Sequence, residues 1–266
     1  MEWFEALILG LVQGLTEFLP VSSSGHLAIG KALLGVEPTE DLVFEVTVHA
    51  ATVLATIVVF RREIWRLLRG LFRFAWNDET DYIAKLCVSM TPVFVVGVFF
   101  KDRVEALFGS LLVVGLALIV TAMLLFFSDL PRREKAEAPA ARNGISFLQA
   151  FIVGVGQAFA VVPGLSRSGT TIATGLLSGV RRSEMAMFSF LMVLVPILGE
   201  SFLDLVDGSV AASSVGALPL LIGFLAAFLS GLFACKAMVA LVRRAQLKWF
   251  ALYCALAGLL VLIFLA

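Results

Sequence analysis

Long apolar runs separated by short polar segments extend along this chain of 266 residues. A helix of about 20 apolar residues crosses the roughly 30 Å hydrocarbon core of a bilayer. Runs near this length predict full crossings at 44–60, 83–100, 107–127, 185–206, 215–240 and 247–266. The hydrophobic pattern therefore predicts an all-α polytopic membrane protein.

Two further apolar stretches, 3–35 and 147–179, are interrupted near their middles by small and polar residues. The first interruption runs from Pro20 to His26, and the second from Pro163 to Thr171. Non-helical backbone at membrane depth is tolerated only where protein or water satisfies its hydrogen bonds. We therefore expect two re-entrant helical hairpins whose tips are buried in protein.

The two hairpin stretches resemble each other, because residues 6–35 align without gaps with residues 150–179. The identical pairs include Gln13 with Gln157, Ser22 with Ser166, Ser24 with Ser168 and Gly25 with Gly169. Each half is predicted to be one hairpin followed by three crossings. The first repeat spans 1–127, a cytoplasmic linker spans 128–146, and the second repeat spans 147–266. Three crossings reverse the side of entry, so we expect an inverted-topology repeat.

Composition and charge narrow the class of protein. Hydrophobic residues make up 60% of the chain and charged residues 15%, against about 25% charged in soluble domains. The formal net charge is zero, and these values exclude a basic nucleic-acid-binding surface. Most of the 20 Lys and Arg residues fall on one side of the predicted topology, which the positive-inside rule makes cytoplasmic. Among them, 61–73 is interpreted as a basic amphipathic helix on the cytoplasmic lipid surface.

Glu17 is the main candidate for chemistry in the first hairpin. Gln13 and Glu17 are four residues apart and therefore share one helical face. Placing a charged carboxylate in an apolar membrane segment costs free energy, so Glu17 is a candidate functional residue, either a metal ligand or a general base. The alternative is a packing role, in which Glu17 is protonated or paired with Arg167. His26, which follows the tip, is a candidate acid, base or nucleophile, with a structural histidine as the alternative. His49 is interpreted as a packing or pocket-lining residue.

The two tips together predict an anion site. Hydroxyl groups, backbone N–H groups and helix N-termini bind anions, and the guanidinium of Arg167 suits phosphate. The alternative for such small-residue breaks is helix packing. The predicted phosphate-binding residues outside the chemical centre are Gln13, Ser22, Ser24, Gly25, Ser166, Ser168, Gly169 and Thr170.

A divalent cation follows from the charge balance of this predicted site. A diphosphate carries at least two negative charges, and Arg167 offsets only one while Glu17 opposes binding. A cation bridging Glu17 and phosphate oxygens resolves the imbalance. Oxygen ligands favour Mg²⁺ or Ca²⁺, and a site with one histidine and no cysteine disfavours Zn²⁺.

Both hairpin motifs resemble signatures of a known family. Gln13-x-x-x-Glu17 followed by Phe-Leu-Pro-Val-Ser-Ser-Ser-Gly-His26 resembles the first signature of the undecaprenyl-diphosphate phosphatases, the bacitracin-resistance proteins of bacteria. Pro163-Gly-Leu-Ser-Arg167-Ser-Gly-Thr-Thr resembles the second. Length and the order of apolar segments also match, so the resemblance covers nearly the whole chain. One departure is Gln13, where many members carry Glu, and an amide cannot act as a base.

The resemblance implies an integral phosphatase of the bacterial cytoplasmic (inner) membrane that converts undecaprenyl diphosphate to undecaprenyl phosphate and recycles the carrier lipid of cell-wall synthesis. It implies a divalent cation and a site open toward the periplasm. By position, Glu17 is the required acid, Ser23 the hydroxyl proposed to attack phosphorus, His26 an acid/base or alternative nucleophile, and Arg167 the phosphate holder.

A transporter is the competing interpretation. Inverted repeats with broken helices at the midplane also occur in transporters, and a lipid-phosphate flippase would use the same anion site without breaking a bond. Glu17, Ser23 and His26 in one tip favour the phosphatase, because phosphate binding alone does not need them. The sequence leaves open whether the protein forms a homodimer, and whether Ser23, His26 or water is the nucleophile.

Overall fold

A computed structural model describes residues 1–36, 42–130, 142–194, 196–199, 215–244 and 246–266. The described chain contains helices and no strands. The helices are α1 (Trp3–Phe18), α2 (Ser23–Leu34), α3 (Leu42–Leu71), α4 (Asp78–Phe99), α5 (Lys101–Glu105), α6 (Leu111–Asp129), α7 (Phe147–Phe159), α8 (Arg167–Leu177), α9 (Arg182–Met192), α10 (Ala217–Arg244) and α11 (Lys248–Phe264). The all-α prediction is confirmed.

Five helical segments within the described residues are long and apolar enough to cross a membrane. They are Val43–Leu71, Asp78–Phe99, Leu111–Asp129, Arg182–Gly199 and Ala217–Leu241. The predicted crossing 247–266 corresponds to α11, which has 17 residues and is among the shorter apolar helices. Parts of the predicted crossing 185–206 and linker 128–146 lie outside the described residues. The chain is therefore a multi-pass membrane protein.

The predicted crossing 44–60 and the basic segment 61–73 share one continuous helix, α3, of 30 residues. At 1.5 Å per residue this helix is about 45 Å long, which exceeds a hydrocarbon core of about 30 Å. The arginines from Arg61 to Arg69 therefore lie on a direct continuation of the predicted crossing and not on a separate helix.

Both broken stretches form a helix, a short turn and a second helix. In the first, α1 ends at Phe18 and α2 begins at Ser23; in the second, α7 ends at Phe159 and α8 begins at Arg167. Proline interrupts each stretch because its nitrogen carries no hydrogen and its ring clashes with the preceding turn. We call residues 19–26 the first tip and residues 160–170 the second tip.

Each hairpin packs against a long helix from the other half of the chain. Helix α1 lies along α10, and α7 lies along α4. The close approach needs glycine: a Cβ added at Gly10 would lie 2.5 Å from the carbonyl oxygen of Gly223, and one added at Gly154 would collide with the carbonyl of Ser89. Helices α6 and α11 also pack together. Each hairpin thus packs against a helix of the opposite half, and these contacts hold the two tips side by side in the protein interior.

Candidate active site

The carboxylate of Glu17, at the end of α1, is the centre of the site. Its side chain is 10% exposed. Gln13 Nε2 donates to Glu17 Oε2 at 2.9 Å, and Ser23 Oγ donates to the same oxygen at 2.5 Å. Gln13 reaches Glu17 because residues i and i+4 are neighbours on a helix. Ser23 reaches it because the first tip folds the start of α2 back over the end of α1.

Two cationic or basic side chains face the same carboxylate from other helices. Arg167 Nη2, at the first position of α8, lies 3.7 Å from Glu17 Oε1. His49 Nε2, on α3, lies 3.8 Å from Glu17 Oε2. The site is thus assembled from α1, α2, α3 and α8. Gln13, Ser23 and His49 face Glu17 Oε2, and Arg167 faces Oε1.

The two tips have the same local hydrogen bonds. Ser22 caps α2 by accepting from the N–H of Gly25 at 3.2 Å, and Ser166 caps α8 by accepting from the N–H of Gly169 at 3.1 Å. These caps satisfy backbone donors that the first turn of a helix leaves free. Ser22 has a φ of 72°, which is unusual for a residue with a side chain and costs of order 1–3 kcal/mol.

The tips also bind each other. The N–H of Gly164 in the second tip donates to Ser24 Oγ at 3.4 Å, and Ser168 Oγ donates to the carbonyl of Leu19 in the first tip at 3.1 Å. Ser24 and Ser168 occupy equivalent positions in the aligned stretches. Each hairpin therefore uses the same serine to hold the opposite tip.

A small, partly open pocket lies beside this cluster. Its polar lining is Glu17, Thr52, Thr56, Arg167, Ser168 and Ser189, and its apolar lining is Phe18, Val53, Phe190, Val193 and Ile197. Helices α3 and α9 supply much of this wall. The mixture of a charged end and apolar sides suits an amphipathic ligand with an anionic head.

His26 is oriented away from the carboxylate. Its Nδ1 lies 2.7 Å from the carbonyl oxygen of Ser22, and its Nε2 lies 2.6 Å from the hydroxyl of Tyr253 on α11. The two rings are stacked, with centroids 5.5 Å apart. The next residue of α11, Cys254, lies with its Sγ 3.6 Å from the carbonyl of Pro20. The first tip therefore packs against α11.

The structure brings together Gln13, Glu17, Ser23 and Arg167 among the predicted residues. Ser22, Ser24, Gly25, Ser166, Ser168 and Gly169 form the caps and tip contacts described above. Thr170 is buried on α8, and within the described part of the chain its Oγ1 has no hydrogen-bond partner.

Sequence reasoning did not assign His49 to the carboxylate and did not identify Thr52, Thr56, Ser189 or Tyr253. The sequence did contain an indication that α3 contributes to the site. One face of this helix is polar, because its side chains follow the i, i+4, i+7, i+11 spacing: Glu45, His49, Thr52 and Thr56. A polar stripe in an otherwise apolar crossing points to the protein interior.

The residues present could hold a divalent cation that prefers oxygen ligands, provided that a substrate supplies some of those ligands. Among the described residues, no group of three or more His, Cys, Asp or Glu side chains could hold a metal by itself. The Oε1 of Gln13 is buried and has no partner within that part of the chain, and the nitrogen of the same amide donates to the Glu17 carboxylate. Mg²⁺ is commonly bound by one or two carboxylates together with substrate phosphates and water.

The paired helix tips lie among apolar helices long enough to cross a membrane. They bring together a hydroxyl hydrogen-bonded to a carboxylate and an arginine beside it, which is the side-chain chemistry of a membrane-embedded phosphoryl-transfer protein. The chain belongs to the family described as bacitracin resistance protein BacA, whose model matches residues 6–260. The family identified from the two motifs is thereby confirmed.

Relatives named undecaprenyl-diphosphatase align over nearly the whole chain. One from Parabacteroides distasonis is 56% identical over 263 residues, which cover 97% of each chain. One from Bacteroides fragilis is 54% identical over 267 residues, covering 99% of this chain and 98% of its own. One from the more distant Methanococcus vannielii is 38% identical over 264 residues.

Proposed function

We propose that the protein is a membrane phosphatase that hydrolyses undecaprenyl diphosphate to undecaprenyl phosphate and inorganic phosphate, and so recycles the carrier lipid of cell-wall synthesis. Its family and its full-length relatives of that activity support the reaction. The structural observation that carries the proposal is the 2.5 Å hydrogen bond from Ser23 Oγ to Glu17 Oε2. A hydroxyl donating to a buried carboxylate is a nucleophile paired with its base.

Ser23 attacks the terminal phosphorus in the proposed reaction. As its Oγ bonds to phosphorus, the hydroxyl proton passes to Glu17, and the bond from that phosphorus to the bridging oxygen breaks to release undecaprenyl phosphate. Water then hydrolyses the phosphoserine to inorganic phosphate and free Ser23. The contacts of His26 with Ser22 and Tyr253 support Ser23 over His26 as nucleophile, because both imidazole nitrogens have other partners.

Arg167 holds the phosphoryl oxygens. Its guanidinium lies at the N-terminus of α8, where backbone N–H groups and the helix dipole also favour negative charge. Arg167 is 3.7 Å from Glu17, so an arriving phosphate exchanges a carboxylate partner for phosphate oxygens without moving the arginine far. A planar guanidinium can make two parallel bonds to one phosphate.

A divalent cation, Mg²⁺ or Ca²⁺, would be held by Glu17 with the Oε1 of Gln13, and when bound it neutralises charge on the phosphate oxygens. Gln13 already donates to Glu17 through its nitrogen. Its amide thereby orients the carboxylate, in keeping with a residue that cannot itself act as a base.

The proposal includes an inverted-topology repeat in the bacterial inner membrane, with the basic segments cytoplasmic and the site open toward the periplasm. The reciprocal tip contacts of Ser24 and Ser168 support the repeat, as does the exchange in which α1 packs on α10 and α7 on α4. The distribution of Lys and Arg supports the orientation. The isoprenoid tail remains in the bilayer or between helices while the diphosphate reaches the tips.

Phosphate release from a prenyl diphosphate by the purified protein tests this function. We expect release by the wild type with Mg²⁺ or Ca²⁺, loss of release with a chelator, and loss in Glu17→Gln. Glu63→Gln is the matched control, because that carboxylate pairs with Arg66 near the end of α3 and not with the tips. Full activity of Glu17→Gln would overturn the site. No release by the wild type, together with lipid-phosphate movement in vesicles, would instead establish the transporter.

A further inference from the structure

His49 is held beside Glu17 by its own helix. Its Nδ1 lies 2.8 Å from the carbonyl oxygen of Glu45, one turn earlier on α3. The Glu45 side chain is in turn paired with Lys31 of α2, with Nζ and Oε1 2.5 Å apart. The contact with the Glu45 carbonyl orients the imidazole on α3, and its other nitrogen, Nε2, lies 3.8 Å from Glu17 Oε2.

The backbone contact determines which nitrogen of His49 carries hydrogen. A carbonyl oxygen only accepts hydrogen bonds, so Nδ1 is the donor, and in the neutral ring Nε2 presents a lone pair. In that form of the ring, the lone pair faces Glu17 Oε2, which is also an acceptor. Two acceptors do not bind each other, but a cation can bind both.

One metal ion can reach both acceptors, and a small approach of the two side chains would give the ligand angles of a tetrahedral or octahedral site. Bonds from a divalent metal to imidazole nitrogen and to carboxylate oxygen are about 2.0–2.2 Å each, so an ion can contact two atoms that are 3.8 Å apart. The unpartnered Oε1 of Gln13 belongs to the amide whose nitrogen donates to Glu17 Oε2. This amide oxygen is a candidate third ligand.

We propose that His49 Nε2 and Glu17 Oε2 together ligate the divalent cation of this site. The inference rests on the proposed function for the presence of a cation, and it changes the ligand set from oxygen alone to mixed nitrogen and oxygen. Mn²⁺ accepts the same oxygen ligands as Mg²⁺ and Ca²⁺ and can also bind an imidazole nitrogen, so it is a suitable probe for this ligand set.

The chain provides its own control, because it contains two histidines. His26 is nearby in the first tip, but its ring nitrogens contact the Ser22 carbonyl and the Tyr253 hydroxyl. His49→Gln replaces the nitrogen ligand by an amide oxygen, whereas His26→Gln leaves the proposed ligands intact. Mn²⁺ is the probe for both variants.

The experiment measures nitrogen coordination directly, by electron spin echo modulation of Mn²⁺ bound to the full chain in detergent. We expect ¹⁴N modulation in the wild type that changes to a ¹⁵N pattern when the protein is labelled with [¹⁵N]histidine. The modulation should persist in His26→Gln and vanish in His49→Gln. Titration should show Mn²⁺ binding weakened at least about tenfold in His49→Gln, with Mg²⁺ binding much less affected.

Any of three results would overturn the proposal: wild-type protein that does not bind Mn²⁺, wild-type protein that binds Mn²⁺ without a histidine signal, or a histidine signal that survives in His49→Gln. The labelled wild type keeps the test decisive if His49→Gln does not fold. Phosphate release by Glu17→Gln in the same preparations tests the proposed function separately, because that assay does not depend on the identity of the nitrogen ligand.

Discussion

Replacing Gly164 by alanine tests how closely the second tip must approach α6. Gly164 has a φ of +88°, and an L-residue in left-handed conformations costs about 1–2 kcal/mol. The added Cβ would lie 2.5 Å from the carbonyl oxygen and 2.7 Å from the Cα of Val114. These are backbone atoms of a packed helix, so the tip must move, and overpacking costs about 1–3 kcal/mol. We expect a total destabilisation of about 2–5 kcal/mol.

The same displacement should reduce activity more than a distant destabilising change does. The N–H of Gly164 bonds to Ser24 Oγ across the tips, and Arg167 follows three residues later. A 1 Å displacement of a positioning group can cost about 10²-fold in rate. We therefore expect kcat/KM for phosphate release to fall by about that factor in Gly164→Ala at temperatures where the protein remains folded.

Thermal unfolding in detergent and phosphate release, measured on the same preparation, are the assays. Gly97→Ala on α4 is the control, because a Cβ added there has no atom within 4 Å, and it should behave like the wild type. Wild-type activity and stability in Gly164→Ala would refute the reasoning that contact between the tips positions the site.

Three other outcomes follow from named contacts. Arg167→Lys should lower kcat/KM for phosphate release by about 10²-fold or more, because an ammonium cannot make two parallel bonds to one phosphate; rates equal to wild type would contradict this role. Tyr253→Phe should lower phosphate release, because it removes the hydroxyl that contacts the His26 imidazole. In a double-mutant cycle, His26→Gln should then have a smaller effect in Tyr253→Phe than in the wild type; additive effects would contradict a functional role for this contact. Asp129→Asn should destabilise the fold by about 1–3 kcal/mol in thermal unfolding, because Asp129 accepts from Arg182 and from the N–H of Lys248; an unchanged Tm would contradict it.

The site was predictable from the sequence where its residues are neighbours in one motif. Gln13 and Glu17 share a helical face by their spacing, and Ser23 follows the proline break that returns the chain to the same carboxylate. Arg167 was predictable because the second hairpin repeats the first, although its 3.7 Å approach to Glu17 depends on how the two hairpins dock.

The histidines illustrate what local pattern could not decide. His26 lies in the motif and is predicted to be an acid, base or nucleophile, with a structural histidine as the alternative; in the structure its ring contacts the Ser22 carbonyl and the Tyr253 hydroxyl. His49 was interpreted as packing or pocket lining, whereas its Nε2 faces Glu17. The direction of the His26 ring depends on Tyr253 of α11, which is distant in the chain from the first hairpin, and the position of His49 beside Glu17 depends on how α3 packs against α1.

The sequence by itself determined the membrane environment, the helical class, the two breaks and the family, because each depends on hydropathy, proline chemistry or contiguous motifs. Only the tertiary structure decided which side chains share the carboxylate. Glycine contacts such as that of Gly10 with Gly223 set how α1 lies on α10. Periodicity indicates that a helix face is buried, but the partner of that face depends on packing between segments far apart in the chain.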